Sequence, residues 1–397
     1  MTGAHFIVVM VTFPGGLGRA RAILGERFGH GGFRPAQLRV VGPLLAGRDV
    51  LAVLPTGAGK SLCYQLPALM ADDLTLVVSP LISLMQDQVA ALRRRGIAAA
   101  YLSSLLTPDQ RRVILDATLA GRLRLLYCAP ERLRALVARL RRAGRRVSLL
   151  AVDEAHCITE WGNEFRPVYR RLGEFRYLLG DPTTLALTGS ATPATRRDIL
   201  RVLRTPGAEV VVASFDRPNL RFTVERVRDD RERFARIRAI VRGAAGHTLV
   251  YTPTRRLTEL VTRALWRRSL PAAPYHAGLS APMRRHALLD FLGNRAPVVI
   301  ATSAFGMGID KPDVRCVIHW GPPRTLEGYY QEAGRAGRDG GPADCLVLWT
   351  RADAERGVVA PEVRRYVESH ACRRRMLLAH FGQTGVVCSG CDRCNIP

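Results

Sequence analysis

The chain has 397 residues, long enough for two or three domains with cores of their own, and its 47% hydrophobic and 23% charged content is that of a globular protein. No apolar run approaches the length of a membrane span, so no membrane partner is expected. Basic residues outnumber acidic ones by 59 to 34, a net charge of +25 that favours a polyanion, nucleic acid first, although a coding preference for Arg with solvated helix faces gives the same sum.

The first residues, "MTGAHFIVVMVTFPGG", hold a short apolar stretch without a preceding basic residue or a clear cleavage site, so residues 1–17 read as an extension without assigned function. Beyond it, short β-rich runs alternate with helical stretches. "DVLAVL" leads into a glycine loop and then the helix "SLCYQLPALM"; "LTLVVS", "RLLYCA", "VSLLAV" and "TLALT" are further strands. Apolar runs separated by helices describe a parallel sheet covered on both faces. The rhythm breaks near Thr205-Pro206-Gly207, and "FDRPNLRF" reads as a junction. It resumes with "HTLVY", "AAPYH", "PVVIAT", "VRCVIH" and "CLVLW". The expected organisation is an extension (1–17), an α/β domain over 18–205, a second over 206–350, and a short helical tail over 351–397.

Only two basic residues are Lys, Lys60 and Lys311. Lys60 lies where strand, glycine turn and helix follow in the order a phosphate cradle needs. Thr56, Gly57, Gly59, Lys60 and Ser61 supply backbone N–H groups at a helix start, and a compact ammonium reaches β- and γ-phosphates where a guanidinium fork does not fit. Leu54 occupies the first glycine position of the usual eight-residue pattern. Ser61 would hold Mg²⁺. The run "LLAVDEAH" ends in Asp153, suited to bind Mg²⁺ through water, and Glu154, suited to activate an attacking water. Acidic caps at a helix start are the bland alternative. Arg335 and Arg338, three apart in "GRAGRDG", are placed on one helix face or one side of its end. There they can stabilise charge on a transferring phosphoryl group across a domain cleft, or a Gly-Arg loop can merely bind phosphate backbone. Lys311 is left to a salt bridge or a DNA phosphate.

"HCITEWGNEFRPVY" sets Trp161, Phe165 and Tyr169 among Arg166 and Arg170, a loop whose aromatics can stack bases or pack onto the core. In the tail, Cys372 precedes Cys388 by sixteen positions, and Cys391 and Cys394 follow at intervals of three. Four thiolates can close a tetrahedral Zn²⁺ site; an iron–sulfur cluster is the alternative. The metal would supply much of the folding energy of the tail, while the α/β domains keep their own cores. The remaining Cys63, Cys128, Cys157, Cys316 and Cys345 stand singly, which suits a reducing cytoplasm.

From about Phe28 to Cys394 the chain resembles the RecQ family of DNA helicases, carried by "FGHGGFRPAQ", "VVSPLISLMQDQV", "YCAPERL", "LTGSATP", "YTPTRR", "AFGMGIDKPDVR" and "YYQEAGRAGRDG" in the family's order. The resemblance implies two tandem RecA-like domains and a zinc-binding subdomain. It implies that Gln37 reads the adenine edge and Arg34 packs on the base, with His30 where the family often has Tyr. Gly308 and Asp310 would link the arginine finger to DNA contacts, and Ser190 and Thr192 would lie in a coupling motif. His156, Trp161, Phe165 and Arg166 would couple single-stranded DNA to hydrolysis, with Asn163 where His is usual. Arg373, Arg374 and Arg375 would face DNA. The implied activity is an ATP-dependent helicase or translocase, 3′ to 5′, on single-stranded and tailed duplex DNA with ATP, Mg²⁺ and Zn²⁺. The chain stops at Pro397, where family members commonly continue into a winged helix. The expectation is therefore limited strand separation, improved by an accessory protein that binds duplex. An RNA-remodelling helicase and a non-hydrolysing nucleic-acid scaffold are the competing classes.

Overall fold

The computed structural model describes residues 13–55, 57–160, 167–244, 246–306, 311–355 and 359–394. The chain divides into two compact units between Ser214 and Phe215.

The first unit carries a sheet of β1 (Val50–Val53), β2 (Leu74–Val78), β3 (Ala99–Leu102), β4 (Leu125–Cys128), β5 (Val147–Val152), β6 (Thr183–Thr188) and β7 (Glu209–Val212). Their spatial order is β3-β4-β2-β5-β6-β1-β7, and every pairing is parallel. All residues of β1, β2, β4, β5 and β6 are buried, as strands with helices on both faces must be. The sheet corrects two expected boundaries. β7 pairs with β1 through Val50↔Glu209 to Val53↔Val212, so the first unit runs past Thr205. At the other end, the first helix begins at Gly16 and Phe13 is 4% exposed in the core, so the extension does not reach residue 17.

The second unit carries β8 (Leu220–Arg226), β9 (His247–Tyr251), β10 (Ala272–Tyr275), β11 (Val298–Ala301), β12 (Val314–His319) and β13 (Ala343–Trp349), ordered β10-β11-β9-β12-β13-β8 and again parallel throughout. The expected junction "FDRPNLRF" therefore contains the start of an edge strand. Among the described residues, no helix is long and apolar enough to cross a membrane.

The tail is not one continuous helix. It breaks into Pro361–Glu368 and Arg373–His380, with Cys372 as the N-cap of the second. It shares the core of the second unit: Phe381 stacks on Phe215 at 4.6 Å, and Tyr366 meets Tyr329 at 5.5 Å. The expectation that Arg373 and Arg374 face DNA is overturned, because both side chains are completely buried. Arg373 binds Asp392 at 3.1 Å and the carbonyl of Tyr366. Arg374 binds Asp216, the carbonyl of Arg217 at 2.9 Å and that of Leu220. A guanidinium is buried only where its donors find acceptors, and the chain supplies them here. Arg375 alone is exposed.

Arg374→Ala takes a buried guanidinium from the carboxylate of Asp216 and from two carbonyls, and should cost the second unit about 3–5 kcal/mol in a urea-unfolding experiment. Arg375→Ala, at the exposed position, should change the same transition by about 0.5 kcal/mol or less.

Candidate functional site

In the first unit, β1, β6 and β5 are neighbours, so the loops leaving their C-terminal ends converge, the place where open parallel sheets bind ligands. Backbone bonds fix the loops. The N–H of Leu54, after β1, donates to the carbonyl of Thr188 at 3.0 Å, and that of Ala155, after β5, to Leu187 at 2.8 Å.

The glycine turn after β1 opens the helix Leu62–Met70. Gly59 has φ +75°, and a Cβ there would lie 2.4 Å from Nε2 of Gln37, so the turn requires glycine twice over. Gln37 donates through Nε2 to the carbonyls of Ala58 and Gly59, both at 3.2 Å, and accepts from the N–H of Arg34 at 2.9 Å. Arg34 reaches the carbonyl of Gly57. These two residues thus brace the turn, and with His30, Gly59 and Ser61 they line a cleft of about 330 Å³. Lys60 rests its ammonium on the carbonyl of Leu54 at 3.3 Å.

Asp153 is 5% exposed at the end of β5. Burial, reinforced by the neighbouring Glu154 carboxylate and opposed by Lys60, pushes its carboxyl up to about 7. Its Oδ1 accepts from the N–H of Glu154 at 3.1 Å, and Glu154 takes the left-handed φ of +50°, unusual for a residue with a side chain. His156 is buried, with Nδ1 at 3.0 Å from the hydroxyl of Thr188 and 3.3 Å from Oε2 of Glu154. The Thr188 hydroxyl in turn donates to the carbonyl of Ser190 at 3.0 Å, and Thr192 caps the helix Pro193–Leu203 by accepting from the N–H of Thr195 at 3.2 Å. His156 therefore bridges the acidic pair to the loop after β6. Thr188 escaped the sequence reading; its position as the last residue of the run "TLALT", next to the loop, was the available signal.

In the second unit, Arg335 and Arg338 do not share a helix face. The helix Leu326–Ala333 ends before them, and they sit in successive turns, Arg335 8% exposed and Arg338 half-buried. Both line one small cavity with Leu249, Phe291, Phe305 and Lys311. Lys311 makes the salt bridge considered for it: its ammonium donates to Asn294 at 2.7 Å and to Asp313 at 3.1 Å, and lies 5.6 Å above the Phe291 ring. Thr56, Trp161, Phe165, Arg166, Gly308 and Asp310 lie outside the described residues.

In the tail, the sulfurs of Cys372, Cys388, Cys391 and Cys394 all lie within 4.8 Å of one another, with Cys372 and Cys391 at 3.9 Å. A tetrahedral ion with Zn–S bonds of about 2.3 Å needs sulfurs about 3.8 Å apart, so this donor set fits a single Zn²⁺. It leaves no room for a cluster of several metal ions. Burial would raise the Cys391 thiol, but backbone N–H groups of Arg393 and Arg373 and the neighbouring Cys394 and Cys388 thiols lower it, which favours a thiolate within the cluster. His380, an imidazole of the same tail that could otherwise ligate a metal, instead lies 2.8 Å from Glu327.

Comparison with known proteins agrees with this geometry. Residues 34–199 match the DEAD/DEAH box helicase family, 232–340 the helicase conserved C-terminal domain, and 359–395 the RecQ zinc-binding family. The chain is 39% identical over 396 residues to the ATP-dependent DNA helicase RecQ of Haemophilus influenzae, covering 95% of this chain and 64% of that one. To the RecQ helicase of Bacillus subtilis it is 38% identical over 401 residues, covering 95% and 67%. Among solved structures it resembles the Mycobacterium smegmatis helicase Lhr bound to ssDNA and AMP-PNP, at 26% identity and a TM-score of 0.65, over 85% of this chain and 49% of that one. The chain thus spans about two thirds of the length of its curated relatives. With two parallel-sheet units, a lysine on a glycine turn after β1, an acidic pair at the end of β5 and a four-cysteine tail in matching order, the chain belongs to the RecQ family of helicases.

Proposed function

We propose that the chain is an ATP-dependent motor on DNA, hydrolysing ATP at the ends of β1, β5 and β6 and coupling it to movement along single-stranded DNA and strand separation in tailed duplexes. The observation that carries this reading is the convergence of Lys60, Asp153, Glu154 and the loop after β6 on one edge of the first sheet. In this reading Lys60, Gly57 and Gly59 cradle phosphates, and Arg34 and Gln37 face the base while bracing the turn. Ser61 and Asp153 would hold Mg²⁺, which supplies charge neutralisation on the phosphates when bound. Glu154 orients and deprotonates the attacking water, and His156 keeps it aligned with the loop after β6. Arg338, with Arg335, supplies the finger that stabilises charge on the transferring phosphoryl group. Zn²⁺ is the structural metal of the four cysteines. The five other cysteines are buried and form no disulfide in the structure, which is consistent with a cytoplasmic protein.

The test is ATP hydrolysis with and without single-stranded DNA, beside strand separation on 3′-tailed, 5′-tailed and blunt duplexes. DNA-stimulated turnover with a preference for the 3′ tail is expected; stimulation by RNA alone would replace DNA as the track. Lys60→Ala should weaken both nucleotide binding and turnover. Glu154→Gln should lower turnover by about 10²-fold or more while nucleotide still binds, and near-normal hydrolysis would remove it as the base. Arg338→Ala should bind ATP normally and hydrolyse it at least about 10³-fold more slowly.

The raised Asp153 carboxyl gives binding a pH dependence whose sign is fixed. A carboxyl titrating near 7 loses its charge as pH falls, and only the charged form binds Mg²⁺. The affinity for a non-hydrolysable Mg²⁺–nucleotide should therefore fall about tenfold between pH 7.5 and pH 6. Asp153→Asn should bind weakly at every pH, leaving only the titration of the nucleotide itself.

Cys391→Ser should lower the zinc content from one ion per chain, read by elemental analysis. Because the tail shares the core of the second unit, this variant should also lower the unfolding temperature of that unit. A variant that retained one zinc, or that lost zinc with the transition unmoved, would contradict the arrangement.

A further inference from the structure

The segment Asp216–Asn219, at the start of the second unit, is held from one side by the tail and holds the finger loop on the other. On the tail side, the fully buried Arg374 binds Asp216 and the carbonyls of Arg217 and Leu220. Ser389, between two of the metal-binding cysteines, donates its hydroxyl to the carbonyl of Pro218 at 2.9 Å. Phe215, one residue earlier, stacks on Phe381 of the tail and accepts from the hydroxyl of Tyr330 at 2.9 Å.

On the loop side, the guanidinium of Arg217 donates to the carbonyls of Gly334 at 3.3 Å, Ala336 at 3.1 Å and Gly337 at 2.7 Å. Those carbonyls follow the end of the helix Leu326–Ala333, where backbone acceptors lack partners and the dipole favours a cation. Asn219 adds two bonds through Nδ2, to Gly337 at 2.9 Å and Gly341 at 2.8 Å. The fit leaves no space: Gly337 has φ +53°, and a Cβ on it would stand 2.4 Å from Nδ2 of Asn219. Arg335 and Arg338 alternate with the carbonyls so gripped. A planar fork bonded to three carbonyls within four residues fixes the turn that aims the two guanidinium groups, and neither Arg217 nor Asn219 has to meet nucleotide to do so.

We propose that Arg217 and Asn219 are positioning residues for ATP hydrolysis, fixing the loop Gly334–Gly341 so that its arginines are preorganised, with the zinc-clipped tail fixing Arg217 and Asn219 in turn. The inference rests on the reading of Arg338 as the finger. It assigns function to the "FDRPNL" stretch and makes the metal site part of the hydrolytic apparatus by a chain of direct contacts: cysteine loop to Ser389 and Arg374, to the segment 216–219, to the finger loop.

The experiment uses the full chain with Zn²⁺ bound and measures single-strand-stimulated ATP turnover for Arg217→Ala, Arg217→Lys, Asn219→Ala, Arg338→Ala and the double variant Arg217→Ala/Arg338→Ala. Arg217→Ala and Asn219→Ala should lower kcat by about 10–100-fold while KM for ATP, affinity for single-stranded DNA and one zinc per chain are kept. Arg217→Lys should recover only part of the rate, because one ammonium cannot span three carbonyls. If Arg217 acts through Arg338, the double variant should be no slower than Arg338→Ala alone. Amide hydrogen exchange gives a readout independent of turnover: residues 334–341 should exchange faster in Arg217→Ala and in Cys391→Ser than in the parent. Wild-type kcat in Arg217→Ala, a rise in KM in place of the fall in kcat, or a double variant slower by the product of the single effects would overturn the positioning role while leaving the finger intact. Wild-type turnover in Arg338→Ala would remove the finger reading and this inference with it.

Discussion

The first unit depends on two backbone hydrogen bonds made just beyond the strands, from Leu54 to Thr188 and from Ala155 to Leu187. They bind the residues that follow β1 and β5 to the end of β6, so the loops after β1, β5 and β6 leave the sheet in a fixed relation. A slip of one residue in either ladder would turn every side chain of the strand to the opposite face. It would put Asp153 where Val152 now packs. The accuracy of the site is thus inherited from the register of the sheet, and the register is enforced by strands buried on both faces. Lys60, whose ammonium rests on the carbonyl of Leu54 just after β1, is held by the same end of the sheet.

In the second unit, buried arginines do comparable work. Arg233, 2% exposed, binds Asp230 and Asp353 and lies 5.4 Å over Trp320; Arg373 ties two parts of the tail together, and Arg374 ties the tail to the start of β8. A guanidinium offers five donors in a rigid plane and can serve several carbonyls at once, which an ammonium on a flexible stem does less well. The Arg richness of this chain is therefore not wholly a surface property, and some of the +25 charge is unavailable to any polyanion. Lys311 belongs to the same class, a buried cation satisfied by Asn294 and Asp313.

Where one rule dominates, the residues announce their structure. Fully apolar runs such as "VSLLAV" become central strands, the glycine turn at Lys60 opens a helix, and four cysteines at intervals of sixteen, three and three converge. The misreadings occur where two signals conflict. "EVVV" forms a half-exposed edge strand of four residues, too short to outweigh the Pro and Gly before it. "LRFTVER" alternates apolar and polar residues as an edge strand should, but the Pro and charges ahead of it read as a junction. Three consecutive arginines suggest an exposed stripe, yet successive helical positions point about 100° apart, so a single stripe cannot hold all three. Nothing local shows that two of them find acceptors inside. Nor does a motif show that Arg217 grips a loop more than a hundred positions later; that relation exists only in the folded chain.

The tail also ends the second sheet. β8 is an edge strand, and an edge presents unpaired backbone donors and acceptors to any chain able to pair with them. Here the cysteine loop comes alongside: Phe222 donates its N–H to Gly390 at 3.5 Å and accepts from the N–H of Asp392 at 3.2 Å, a parallel bridge centred on Cys391. The metal loop thereby serves as an abbreviated seventh strand whose shape is set by ligation rather than by β propensity. Stripping the ion would unlock that cover and bare the backbone at Phe222, turning a closed sheet margin into a template for pairing between molecules.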